Sequence, residues 1–188
     1  MNPSNAGKMK AKYLFLDRDG VLNVRPGTGY VRNPAEFNWI SGSLESLSKL
    51  SQHFVRILVV TNQQGVGKGL MDQSQLDAVH KRMLGDVLQA GGRIDRIYAA
   101  TGLRHRDSVN RKPAGGMALE AKSDYPEIEF DDSWMVGDTF RDMLFGYRLG
   151  MHTALIAPPA DVPFDYLVAS YRFATLWDFT NFILNRAH

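Results

Sequence analysis

Two carboxylates one residue apart, closing an apolar run, constrain this chain more than any other feature: Tyr13-Leu-Phe-Leu-Asp17-Arg-Asp19-Gly20. Tyr13 to Leu16 is too short and too apolar for an exposed segment, and the glycine that follows argues for a strand running into a turn. Side chains alternate along an extended chain, so Asp17 and Asp19 point to the same side. Two carboxylates held close together repel unless a cation sits between them or one keeps its proton. That is the arrangement of a metal-dependent nucleophile beside a general acid. An exposed turn after a core strand fits these few residues equally well.

The rest of the chain alternates between strand-like and helix-like stretches. Candidate strands are 13–16, 56–61, 94–100, 133–137, 153–156 and a weak one near 166–168. Leu44, Leu47 and Leu50 recur every three residues, and Leu76, Val79, Met83, Val87 and Leu88 keep one face until Gly91-Gly92 stops them. Met143, Leu144 and Tyr147 line a further helix, with Thr139 or Asp138 as its N-cap. This order predicts an α/β fold, a mainly parallel sheet with helices on both faces in a Rossmann-like three-layer sandwich. In such sheets the working groups collect at the carboxyl ends of strands, near the point where strand order reverses. Asp17, Thr61 and Asp138 all fall there.

At 188 residues the chain suits one domain over 1–188, with 1–12 as a polar tail. The net charge of +2 implies no general attraction to nucleic acid or membrane. No apolar run approaches the roughly 20 residues of a membrane helix. The chain has no cysteine, hence no disulfide and no thiolate metal site, and a reducing cytoplasm is the expected compartment. Gln64-Gly65-Val66-Gly67-Lys68-Gly69 is not a phosphate-binding P-loop, because Asn62 and Gly69 stand where glycine and Ser or Thr belong.

Three more segments repeat the pattern of chemistry at a strand end. They are Leu58-Val-Val-Thr61-Asn62-Gln63, Arg111-Lys112-Pro113 before a helix, and Ser133-Trp-Met-Val-Gly137-Asp138-Thr139-Phe-Arg-Asp142. In this order, with Asp-Arg-Asp-Gly-Val-Leu-Asn and Gly-Asp-x-x-x-Asp-Met, they resemble the haloacid dehalogenase (HAD) superfamily over residues 12–157. The match is to its branch of heptose-bisphosphate and histidinol-phosphate phosphatases. The resemblance implies a HAD-like domain with a minimal cap and a phosphomonoesterase working through an aspartyl-phosphate. Asp17 would be the nucleophile, Asp19 the general acid, and Thr61 and the Asn62 amide would hold the transferring oxygens. Lys112 would neutralise the phosphoryl group. Taken alone, Thr61 reads as a β-branched strand end and Lys112 as a solvated lysine; the ordered set decides otherwise. A hard cation in thiol-free, carboxylate-rich ligation points to Mg²⁺. By resemblance its ligands are Asp17, the Asp19 carbonyl and Asp138, with Asp142 one turn beyond, acting through a water or Lys112.

Arg111 is expected to grip a second phosphate of the substrate. The irregular stretch Asn23 to Trp39 is expected to form a flap, with Tyr30 and Arg32 as substrate-facing candidates, although a packed tyrosine and a solvated arginine fit as well. Many relatives bind structural zinc with a Cys-x-His … Cys-x-Cys loop; here Ala99 to Asn110 has only His105, Ser108 and Asn110, so no structural zinc is expected. The leading substrate is a small phosphorylated metabolite, D-glycero-D-manno-heptose 1,7-bisphosphate, losing its 7-phosphate. The alternatives are histidinol phosphate, with Glu36 as the flap's acid, a nucleic-acid 3′-phosphatase using Arg104, Arg106, Arg111 and Lys112, and a catalytically inactive binding protein. A monomer is expected, with neither membrane nor nucleic-acid partner.

Overall fold

The computed structural model describes residues 12–27, 29–105, 109–157 and 168–186. Six strands, β1 (Tyr13–Leu16), β2 (Arg56–Asn62), β3 (Arg96–Ala100), β4 (Ser133–Gly137), β5 (His152–Ile156) and β6 (Tyr171–Phe173), form one sheet in the order β3-β2-β1-β4-β5-β6. Every pairing is parallel. The order reverses between β1 and β4, so the carboxyl ends of these two strands bound the crevice where an α/β sheet binds ligands. Leu16 pairs with Val59 on one side and Val136 on the other, which brings the ends of β2, β1 and β4 side by side.

Among the described residues the α-helices are α1 (Ser43–His53), α2 (Gln73–Gln89), α3 (Gly116–Asp124), α4 (Phe140–Arg148) and α5 (Leu176–Arg186). Strand alternation sorts them into two layers. Leu14 and Leu16 enter a core with Leu47 and Leu50 of α1, Val79 and Met83 of α2, and Phe179 and Ile183 of α5. Tyr13 and Phe15 enter the opposite core with Met117 and Ala121 of α3 and Phe145 of α4. Full burial of a side chain such as Leu47 or Phe179 stabilises by roughly 1.5–3 kcal/mol each. The two faces together give the three-layer α/β sandwich.

Local signals set the element ends. Asp72 caps α2 in a capping box with Gln75, and Gly91, at φ 77°, takes the left-handed turn that ends it. The last strand among the described residues is Tyr171–Phe173; of the candidate near 166–168, Val168 is in a turn and 166–167 lie outside the described residues. The 94–100 run becomes strand only from Arg96. Leu88 and Tyr147, expected on buried faces, are exposed; α4 instead buries Asp142, Met143, Phe145 and Gly146. A polar residue holds that face because α4 carries part of the site.

Candidate active site

Asp17 follows β1 directly, its amide still donating to the Val136 carbonyl at 2.9 Å. Its Oδ1 accepts the Arg18 amide at 2.7 Å and pairs with Lys112 Nζ at 2.9 Å. Lys112 Nζ also reaches Asp142 Oδ1 at 2.6 Å, and its side chain is 1% exposed. Burial works against the lysine's charge, but Asp142 and Asp17 outweigh it and raise its pKa. The Asp17 carboxyl is pushed up to about 7, by burial first; Lys112 opposes this, while Asp142, Asp138 and Asp19 add to it. The side chain of Asn62 positions the lysine, accepting the Lys112 amide at 3.0 Å and donating to its carbonyl at 3.2 Å.

Asp19 sits in a different setting. Arg18, fully buried, forks onto it with Nη2 3.0 Å from both carboxylate oxygens. Asn23 Nδ2 donates to it at 2.9 Å and Gln63 Nε2 at 2.8 Å. Burial would raise its pKa, but the guanidinium and the two amide donors win and lower it. Behind Arg18 stands His80, its Nε2 3.2 Å from Arg18 Nη1 and its pKa pushed down to about 4 by burial and by that same guanidinium. His80 is therefore neutral near pH 7 and accepts from Arg18. Gln63 Nε2 also donates to Thr61 Oγ1 at 2.9 Å, tying the ends of β1 and β2 together.

Two glycines permit this crowding. Gly20 has φ 93°, and a Cβ there would lie 1.9 Å from Asp138 Oδ2. A Cβ on Gly137 would lie 2.2 Å from that of Asp142. The Asp-x-Asp-Gly and Gly-Asp strings thus carry a steric requirement beside the chemical one. Asp142 Oδ2 also accepts the Thr139 amide at 3.0 Å and the Thr139 hydroxyl, which starts α4 beside the site.

These groups face a cleft of about 210 Å³. It is lined by Asp17, Asp19, Thr61, Asn62, Thr139 and Asp142, together with Arg25, Arg111, Arg141, Tyr30 and the loop at Pro26, Gly27 and Gly29. Of the stretch expected to form a flap, Arg25, Pro26, Gly27, Gly29 and Tyr30 line the cleft. Tyr30 lines the cleft, beneath the Lys68 ammonium at 5.6 Å from its ring centre. For Arg32 the solvated alternative holds: it is exposed, absent from the cleft lining, and paired with Glu36 at 3.3 Å. Arg104 and His105 are exposed, and 106–108, with Arg106 and Ser108, lie outside the described residues.

The donor set fits a hard divalent cation. Asp17, Asp138 and Asp142 each offer an oxygen within 4.8 Å of the others'. The guanidinium of Arg25 already seats on two of the acceptors named from the sequence, Asp138 Oδ1 at 2.6 Å and the Asp19 carbonyl at 2.9 Å. Sequence reasoning named neither Arg25 nor Arg141, and it missed the supports of Asp19, which are Arg18, Asn23 and Gln63. Arg18 had a signal, since a cation between two aspartates at the end of a buried run has charge to neutralise. Arg25 had none: a loop arginine reads as solvated.

An aspartate paired with a buried lysine at the switch point of a parallel sheet, beside a second carboxylate and a cation-seeking acid cluster, defines a HAD-type phosphatase. The comparisons agree. The family model for polynucleotide kinase 3 phosphatase matches residues 12–175, and the chain belongs to that family. It is 34% identical over 170 residues, 88% of each chain, to a D-glycero-alpha-D-manno-heptose-1,7-bisphosphate 7-phosphatase of Mycobacterium tuberculosis (strain CDC 1551 / Oshkosh). It is 33% identical over 139 residues, 74% of this chain and 76% of the other, to a D-glycero-beta-D-manno-heptose-1,7-bisphosphate 7-phosphatase of Bordetella bronchiseptica. The crystal structure of a D,D-heptose 1,7-bisphosphate phosphatase from B. bronchiseptica, complexed with magnesium and phosphate, superposes with a TM-score of 0.82 at 26% identity, covering 93% of this chain and 98% of that one.

Proposed function

We propose that this chain is a magnesium-dependent phosphomonoesterase that removes the 7-phosphate of D-glycero-D-manno-heptose 1,7-bisphosphate. The observation that carries the reading is a reaction centre, Asp17 held by Lys112, in a cleft also lined by Arg25, Arg111 and Arg141. A substrate with a phosphate at each end matches both parts. The relatives at 33–34% identity bear the corresponding names.

Asp17 attacks the phosphorus, with Lys112 holding its Oδ1 and drawing off charge that would repel the phosphate. The leaving sugar oxygen takes a proton from Asp19, and Asp19 then takes a proton from the water that splits the aspartyl-phosphate. The products are the sugar monophosphate and inorganic phosphate. Arg18, Asn23 and Gln63 favour the ionised form of Asp19, which suits it as the base of the second step. For the first step the entering phosphate's negative charge must supply the proton affinity. Thr61 and Asn62 border the transferring oxygens. Asp17, the Asp19 carbonyl and Asp138 would hold Mg²⁺, which when bound supplies positive charge to the phosphoryl oxygens. Asp142 acts through Lys112. Structural zinc is not part of this reading, and a monomeric, single-domain cytoplasmic enzyme is. No helix among the described residues is long and apolar enough to cross a membrane.

Histidinol phosphate fits less well, because Glu36 is committed to Arg32 and to Asn33 Nδ2 at 2.8 Å. A nucleic-acid end has the family description in its favour, but Tyr30 is the sole aromatic among the described residues that line the cleft, where single-stranded binding calls for several stacking rings. An inactive binding protein would have no need of the Asp17–Lys112–Asp142 array. Phosphate release with Mg²⁺ from both heptose bisphosphate anomers, histidinol phosphate and a 3′-phosphorylated oligonucleotide tests the reading. Heptose bisphosphate is expected to lead in kcat/KM by roughly ten- to a hundredfold, the worth of one charge-assisted phosphate contact. A leading oligonucleotide would overturn it.

A further inference from the structure

Arg25 stands two residues beyond Asn23, at the root of the flap. Its Nη2 lies 2.6 Å from Asp138 Oδ1, 2.8 Å from Asp138 Oδ2 and 2.9 Å from the Asp19 carbonyl oxygen, and its Nε lies 3.2 Å from Asp138 Oδ2. This fork engages both the carboxylate and the backbone oxygen that the proposed magnesium site needs. The same side chain is 45% exposed and lines the cleft beside Pro26, Gly27 and Gly29, so it has open space to move into without unpacking the core. A guanidinium and a divalent cation cannot both take these acceptors, since like charges at contact distance repel strongly inside a half-buried site.

We propose that Arg25 is a displaceable counter-charge, sharing Asp138 and the Asp19 carbonyl with the divalent cation and turning to the substrate's phosphate when the cation arrives. The proposal rests on the magnesium reading above. It has a thermodynamic signature that a purely structural arginine lacks. Cation binding alone must break the Arg25 fork, whereas an anion in the cleft gives the released guanidinium a new partner. Cation and anion therefore promote each other's binding, by the same factor in both directions. The device couples the two events, so that the cleft fills with cation at a lower concentration when phosphate is there.

The test is Mn²⁺ affinity, read by the loss of the free-ion electron paramagnetic resonance signal, with and without inorganic phosphate. Wild type, Arg25→Ala, Arg25→Lys and Asp138→Asn are compared. Arg25→Ala should bind Mn²⁺ alone about tenfold more tightly than wild type, the worth of a charge-assisted fork discounted for exposure. Its further gain on adding phosphate should shrink. Arg25→Lys, which keeps the charge and loses the fork, should fall between. In chelator Arg25→Ala should melt below wild type, since Asp138 loses its counter-charge. Unchanged or weaker Mn²⁺ binding by Arg25→Ala, with binding still lost in Asp138→Asn, overturns the role of Arg25 and leaves the metal site standing. Mn²⁺ binding that is indifferent to Asp138→Asn, or absent from both wild type and Arg25→Ala, overturns the metal site and the inference with it.

Discussion

Strand β4 carries a buried cluster at each end, and the two are held by opposite means. Near its start Trp134 packs against Phe179 and Tyr171, with ring centres 5.3 and 5.2 Å apart, and Phe182 closes on Tyr171 at 5.0 Å. At its finish Asp138 joins Asp17, Asp142, Lys112 and Arg25. The aromatic cluster is held by contact area, so damage to it is graded by volume. The acid cluster is held by charge compensation, and removing one of its cations strands the carboxylates. The same sheet thus offers one end that tolerates approximate substitutes and one that does not.

The largest contrast is in turnover. Asp17→Asn leaves an amide that cannot accept the phosphoryl group, and phosphate release should drop by roughly a thousandfold or more. Trp134→Phe, at the other end of β4, should leave kcat at the wild-type level. Near-wild-type turnover in Asp17→Asn would sink the nucleophile assignment.

Stability sharpens the comparison. Trp134→Ala and Lys112→Ala should each cost about 3–5 kcal/mol in urea unfolding with chelator present, the first through a cavity and the second through unpaired buried carboxylates. The repairs differ. Trp134→Phe should recover most of the loss, whereas Lys112→Met, which restores bulk without charge, should recover little. Equal recovery at the two ends would mean that the acid cluster is held by packing after all.

A smaller effect separates two adjacent cations. Arg111 lines the cleft wall, and its proposed phosphate is equally charged throughout the reaction, so Arg111→Ala should raise KM for the bisphosphate by roughly ten- to a hundredfold. A simple aryl phosphate should be nearly unaffected. Lys112→Ala should lower kcat on both substrates, because it meets the charge that changes. Equal losses for Arg111→Ala on both substrates would place Arg111 in the chemistry and weaken the case for a bisphosphate.

The two clusters were unequally legible in the sequence. The acid cluster announces itself, since carboxylates at the ends of apolar runs cost stability unless a site uses them. Its long-range supports do not: nothing local says that Asn62 will clamp the Lys112 peptide or that Arg25 will reach Asp138, 113 residues away. The aromatic cluster was nearly silent. Leu176–Arg186 shows no clear helical stripe in the sequence, although Leu176, Phe179 and Ile183 bury one face of it, because Trp177 and Phe182 break the stripe without Gly or Pro to frame it. Tyr171–Phe173, with its middle residue exposed, is an edge strand that only the neighbouring β5 specifies.

A further expected effect concerns pH, and its sign follows from burial. Folding raises the Asp17 carboxyl from 3.8 to about 7, because burial and its acidic neighbours outweigh Lys112. Between these values the folded chain binds more protons than the unfolded one. The contribution of Asp17 is therefore most favourable below about pH 4 and is lost as pH rises through 7. His80 runs the other way: its pKa falls from 6.5 to about 4, so the unfolded chain binds the extra proton and stability rises with pH over that window. The two partly cancel in wild type, and only a difference isolates the acid cluster. In chelator, wild-type stability minus that of Asp17→Asn should decline from pH 4 to 7, by a few kcal/mol at most. At pH 7 the inactive Asp17→Asn should be the more stable protein. Saturating Mg²⁺ should flatten the decline, since a cation then does what the proton did. A difference that stays level in chelator would mean that Lys112 compensates Asp17 in full, and the contrast between the two ends of β4 would shrink to one of shape.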